Sequence, residues 1–121
     1  MSILSPTDGK VTDSRKGKVH IWMSPIDNHL VFSPVSGKVE KVIREDRKVI
    51  STIKTKSGKD VIFEMGKGIL PATIDCNLYR GKRVKLGEYV GGVFPFGSHV
   101  TVTGDFGWVD KGRVEAKQVL G

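Results

Sequence analysis

β-Branched residues dominate the apolar part of this 121-residue chain: Val and Ile together number 25, against six Leu and two Ala. Two heavy atoms on Cβ stiffen χ1 and suit a pleated surface, whereas Ala and Leu are residues that helices favour. No segment carries apolar residues at helical spacing over three turns. Turn-forming clusters recur instead at short intervals, among them Ser14–Gly17, Pro25–Asn28, Ser57-Gly58, Gly66–Gly68, Gly91-Gly92 and Gly104–Gly107. Between them lie short alternating or apolar runs at Lys18–Met23, Lys38–Arg44, Lys48–Lys54, Asp60–Glu64, Thr73–Leu78, Glu88–Phe94, His99–Thr103 and Arg113–Val119. This punctuation predicts an all-β fold, a small sandwich or partly closed barrel of short strands.

An internal repeat sharpens the expectation. Ser5-Pro6-Thr7-Asp8-Gly9-Lys10-Val11 returns as Ser33-Pro34-Val35-Ser36-Gly37-Lys38-Val39. Proline suits the second position of a β-turn and glycine tolerates a positive φ, so each copy reads as a turn feeding a strand that begins Gly-Lys-Val. The copies differ at one chemically important place, where Asp8 in the first stands opposite Ser36 in the second. The stretch Gly81–Gly91 adds the Gly-x-x-Val-x-x-Gly rhythm of biotinyl- and lipoyl-type domains, consistent with a barrel-sandwich-hybrid-like architecture. No lysine sits in a hairpin tip of the kind that carries a swinging arm.

The length fits one domain spanning residues 1–121, large enough to bury a real core. No apolar run is long enough to cross a bilayer, and the N-terminus lacks the basic and apolar regions of a secretory signal. These features predict a cytoplasmic or membrane-surface domain. The single cysteine, Cys76, excludes an internal disulfide and reads as a buried strand residue, and no Cys/His cluster has metal-ligand spacing, so no metal is expected. The net charge of +7 calls for an anionic partner or surface. Aromatic residues are sparse and do not alternate with the basic ones, so nucleic acid is not expected. Trp22 and Trp108 suit either a lipid interface or the core. Exposed sheet edges in so small a β-domain make a homodimer reasonable.

Three residues carry chemical potential without any spacing rule to join them: Asp8 in the first turn, His29 after the Pro25–Asn28 turn, and Ser98 after Gly97. Asp27 reads as a cap of the turn before His29. The ordered motifs Ser5-Pro6-Thr7-Asp8-Gly9, Met23-Ser24-Pro25-Ile26-Asp27-Asn28-His29 with Ser33-Pro34-Val35-Ser36-Gly37, and Phe96-Gly97-Ser98 resemble those of phosphatidylserine decarboxylases, in that family's order. The likeness is to the short bacterial and archaeal branch, whose proenzymes cleave themselves at Gly-Ser.

The resemblance implies a pyruvoyl-dependent enzyme that makes its own cofactor. Ser98 Oγ would attack the carbonyl of Gly97, His29 would act as base and Asp8 would orient it. The products would be a β chain of residues 1–97 and an α chain of residues 98–121, with a pyruvoyl group made from Ser98. The implied substrate is an anionic phospholipid, phosphatidylserine or a related serine-headgroup lipid, converted to the ethanolamine lipid and CO2 at a peripheral membrane surface. Where longer members carry a second histidine this chain has Phe32, so cleavage and decarboxylation both fall to His29. His99 stands where the short branch commonly has arginine, and strand alternation points it away from Ser98. The chain begins almost at the Asp8 motif, as a minimal or trimmed member would. Two other expectations are a soluble decarboxylase of a free amino acid, and a non-catalytic sandwich-hybrid domain that binds an anionic partner.

Overall fold

The computed structural model describes residues 3–24, 27, 29–68, 72–94 and 98–120. Its elements are β1 (Ile3–Leu4), β2 (Gly9–Arg15), β3 (Lys18–Met23), β4 (Leu30–Phe32), β5 (Gly37–Arg44), β6 (Lys48–Lys54), β7 (Asp60–Lys67), β8 (Thr73–Cys76), β9 (Arg83–Val84), β10 (Tyr89–Phe94), β11 (Ser98–Thr103), β12 (Gly112–Val114) and β13 (Val119–Leu120). No helix occurs among the described residues. The fold is all-β, in antiparallel sheets that do not close into a barrel. The largest sheet runs β12-β2-β3-β11-β7-β6-β5-β9, a second runs β4-β10-β8, and β1 pairs with β13.

Period-two alternation decides which side of the large sheet is core. Val19, Ile21 and Met23 of β3 face inward with Val100 and Val102 of β11 and Val61, Phe63 and Met65 of β7. Val31, Leu78, Val90 and Val93, on or beside the smaller sheet, complete one continuous apolar cluster. Burying a side chain of this size contributes about 1.5–3 kcal/mol, so the valine-rich composition supplies the driving force as well as the strand preference.

The repeat proves to be half of a pseudo-twofold arrangement. The Ser5 N–H donates to the Gln118 carbonyl at 2.7 Å, and the Ser33 N–H donates to the Glu88 carbonyl at 2.8 Å. The Lys117 N–H returns to the Ser5 carbonyl at 2.8 Å, as the Gly87 N–H returns to that of Ser33 at 2.9 Å. Each serine hydroxyl closes its own turn, on the Thr7 carbonyl at 2.8 Å and on the Val35 carbonyl at 2.7 Å. Gly9 and Gly37 each pass so close to a neighbouring strand that a Cβ would lie 2.6 Å from the Trp22 carbonyl oxygen or 2.3 Å from that of Lys54. The repeat therefore matches in backbone contacts as well as in letters, and it extends to a second pair of segments, 113–120 and 83–90, that the sequence does not advertise.

Two runs read from sequence are corrected. Arg113–Val119 is not one strand: it divides into β12 and β13 around a turn in which Lys117 takes φ of 68°. Gly66–Gly68 does not begin a turn at Gly66, because β7 continues through Lys67. A Cβ on Gly66 would lie 2.2 Å from the His99 ring, so this glycine makes room for a cross-strand neighbour. Cys76 ends β8 half-buried rather than buried.

Candidate functional site

Ser98 opens β11 and pairs in register with Met23 of β3 on one side and Lys67 of β7 on the other. The same alternation that buries Val100 turns Ser98 inward, leaving it 1% exposed. Its Oγ lies 3.8 Å from Met23 Sδ. On the other side of that sulfur, Thr7 Oγ1 lies 3.0 Å from Sδ and 3.2 Å from the Leu30 carbonyl. Met23 thus joins the Ser98 strand to the first copy of the repeated turn, and Thr7 joins that turn to the residue following His29. Gly97 lies outside the described residues, so the bond before Ser98 has no described geometry.

His29 is 6% exposed and stands at the entry to β4. Its Nε2–H donates to the Ser24 carbonyl at 2.8 Å, and its own carbonyl accepts the Val93 N–H of β10 at 3.3 Å. A ring nitrogen that faces a carbonyl must carry the proton, so neutral His29 is the Nε2–H tautomer with its lone pair on Nδ1. Asp27 caps the turn as its place in the sequence suggests. Its Oδ2 accepts the Ser24 N–H at 2.9 Å and the Ser24 hydroxyl at 3.0 Å, and its Oδ1 meets the Arg113 guanidinium. Burial opposes ionisation of this carboxyl, but the Ser24 amide, Arg113 and the Ser24 hydroxyl together hold it below the ordinary carboxylate value.

Asp8 is half-buried, and its Oδ1 accepts the Ala116 N–H at 2.7 Å. Its counterpart Ser36 does the same work, its Oγ accepting the Leu86 N–H at 2.7 Å. The backbone bond needs only one oxygen, so what Asp8 adds over Ser36 is a second oxygen and a charge. The Ser98 strand and the turn that carries Asp8 therefore meet at Met23, and Thr7 links that turn to Leu30, next to His29. No direct hydrogen bond between the side chains of Asp8, His29 and Ser98 is present among the described residues. Thr7, Met23, Ser24 and Arg113 are the neighbours that sequence reasoning missed. Thr7, Met23 and Ser24 lie inside motifs already recognised, whereas nothing in the sequence links Arg113 to Asp27.

His99 is on the opposite face from Ser98, as alternation predicts. It stacks on His20 with centroids 5.0 Å apart, and its Nε2 lies 3.2 Å from Glu64 Oε2. It belongs to the outer surface of the sheet and takes no part in the site.

No family model matches the chain. It is 34% identical over 122 residues to the phosphatidylserine decarboxylase proenzyme of Pelodictyon phaeoclathratiforme, an alignment covering 81% of this chain and 57% of that protein. The proenzyme of the same name from Anaplasma phagocytophilum is 32% identical over 127 residues, covering 83% of this chain and 56% of that protein. That from Desulfotalea psychrophila is 29% identical over 125 residues, with 82% and 58% covered. The chain thus spans a little over half the length of the curated relatives it matches. The ordered Asp8, His29 and Ser98 motifs, the all-β scaffold and these similarities together support membership of the phosphatidylserine decarboxylase family.

Proposed function

We propose that this chain is a self-processing decarboxylase that breaks the bond between Gly97 and Ser98 and acts on phosphatidylserine or a related serine-headgroup lipid, releasing CO2 and the ethanolamine lipid. The observation that carries the reading is Ser98 itself. A serine hydroxyl is inward and all but inaccessible at the first residue of a central strand, among apolar side chains, where packing alone would favour valine. Ser98 Oγ is the nucleophile towards the Gly97 carbonyl. His29, with its lone pair on Nδ1, takes the hydroxyl proton, and Asp8 is the orienting carboxylate.

The residues present fit a pyruvoyl group. It is a neutral acyl group with one heavy atom fewer than the serine it replaces, so the buried position beside Met23 would need no counter-charge to hold it. It would be held by the β11 backbone between β3 and β7, and it would supply an electron-withdrawing carbonyl for the substrate amine as CO2 leaves. Around it the chain would exclude water and keep a proton available at His29, with Lys67 of β7 opposite the Ser98 position.

A peripheral membrane location is part of the proposal. The outer face of the large sheet exposes Trp22, Ile43 and Ile62 among Lys10, Lys18, Lys41 and Lys54, a mixture suited to an anionic lipid surface. Trp22 and Trp108 are 45% and 67% exposed, so neither is core. The test is CO2 release from phosphatidylserine vesicles compared with free serine. Turnover of the vesicles that falls as salt rises is expected, because the lysines act through screened charge. Turnover of free serine alone would replace the lipid substrate with an amino acid. Vesicle binding without turnover of either would favour an anion-binding domain.

A further inference from the structure

A row of contacts outside the candidate trio ends on His29. Arg113 of β12 pairs with Asp27, whose side chain is 3% exposed; Asp27 accepts both donors of Ser24; and the Ser24 carbonyl accepts the Asp27 N–H at 3.0 Å and the His29 Nε2–H at 2.8 Å. We propose that Arg113 is a positioning residue for His29, acting through Asp27 and Ser24 to hold the ring in the Nε2–H tautomer that leaves Nδ1 basic. The inference rests on the reading above that His29 is the base for cleavage before Ser98.

The pseudo-twofold shows that this linkage is not simply part of the scaffold. Arg113 stands opposite Lys10 beside Gly9 just as Arg83 stands opposite Lys38 beside Gly37. Yet Arg83 has no ion pair among the described residues, and the β6–β7 connection it would reach, residues 55–59, contains no carboxylate. The β3–β4 connection, residues 24–29, holds both Asp27 and His29. The acid and the imidazole therefore occur together at one end of the fold and are both absent from the equivalent connection at the other. A carboxylate as buried as that of Asp27 requires a compensating charge, and removing one partner of such a pair leaves the other strained against its surroundings. Ser24 is the neighbour through which that strain reaches His29. Arg113 also lies beyond Ser98 in the sequence, so cleavage at that bond would leave the ion pair bridging the two product chains.

Two readouts separate this claim from the reading it rests on. In protein blocked by Ser98→Ala, the ring nitrogen resonances of His29 should report a single Nε2–H tautomer. Arg113→Gln should convert it to a mixture, and Arg113→Lys, which keeps the charge, should restore it. In protein with Ser98 intact, Arg113→Gln should slow the disappearance of precursor about tenfold, a smaller loss than removing the base itself, and Arg113→Lys should stay within about threefold of the parent. Should Arg113→Gln fail to fold, Asp27→Asn combined with Arg113→Gln leaves no buried charge unpaired and should give the same mixture. An unchanged tautomer in the Gln variants, or parental cleavage rates, would overturn the proposal. A chain that does not cleave at all would defeat the functional reading, while the resonance measurement would still decide the role of Arg113.

Discussion

Asp8 and Ser36 occupy equivalent places and make equivalent backbone bonds, so the structure separates what a turn needs from what chemistry needs. Asp8→Ser should therefore keep thermal stability within about 0.5 kcal/mol, the range of substitutions that leave packing and hydrogen bonds intact. The same change should slow cleavage by about two to four orders of magnitude, as loss of an orienting carboxylate does. Melting curves and precursor half-lives on one preparation check both halves. Ser51 is a different case: its buried Oγ has no hydrogen-bond partner among the described residues. Ser51→Ala removes that unsatisfied group and should stabilise the protein by about 1 kcal/mol, read from the urea midpoint. His20 is held below the ordinary imidazole value, first by burial and then by the neighbouring His99, against the opposing pull of Asp13 and Glu64, with Lys18 adding to the depression. A depressed histidine binds its proton more readily in the unfolded chain. Its contribution is thus intact above about pH 6.5 and is lost as pH falls from there through the folded value. Urea midpoints should drop between pH 7.5 and 5.5, and His20→Gln should shrink the drop; an equal drop in both proteins would contradict it.

At the scale of elements, the runs Lys18–Met23 and Lys48–Lys54 are legible to the residue, because they are rich in β-branched residues and turns bound them closely. Legibility fails where the deciding partner is distant in sequence. Gly66 looks like a turn residue until His99 is brought beside it across β7 and β11, and β1, β4, β9 and β13 are too short to show a period. The Gly66–His99 contact makes a quantitative test. Gly66→Ala should cost about 1–3 kcal/mol by driving a Cβ into the imidazole, and most of that cost should vanish in Gly66→Ala/His99→Ala. Additive losses in the double-mutant cycle would mean that the glycine is required for its backbone alone.

The whole molecule shows why a site can be half legible. Asp8, His29 and Ser98 stand out because their motifs recur in order in a known family, but the chain alone gives no reason to join them; the meeting of Ser98 and Thr7 at Met23 comes only with the fold. Arg113 is invisible beforehand because an ion pair between a surface arginine and a turn carboxylate leaves no periodic trace. The large sheet ends in β12 and β9, three and two residues long, so pairing of its edges with a second copy has little backbone to work with. The central claim concerns one bond, and intact-protein mass spectrometry of the freshly purified chain under denaturing conditions tests it most directly. Two fragments dividing between Gly97 and Ser98, the smaller carrying a borohydride-reducible carbonyl in place of its amine, are the predicted result. A single 13.3 kDa species that persists on incubation would contradict it.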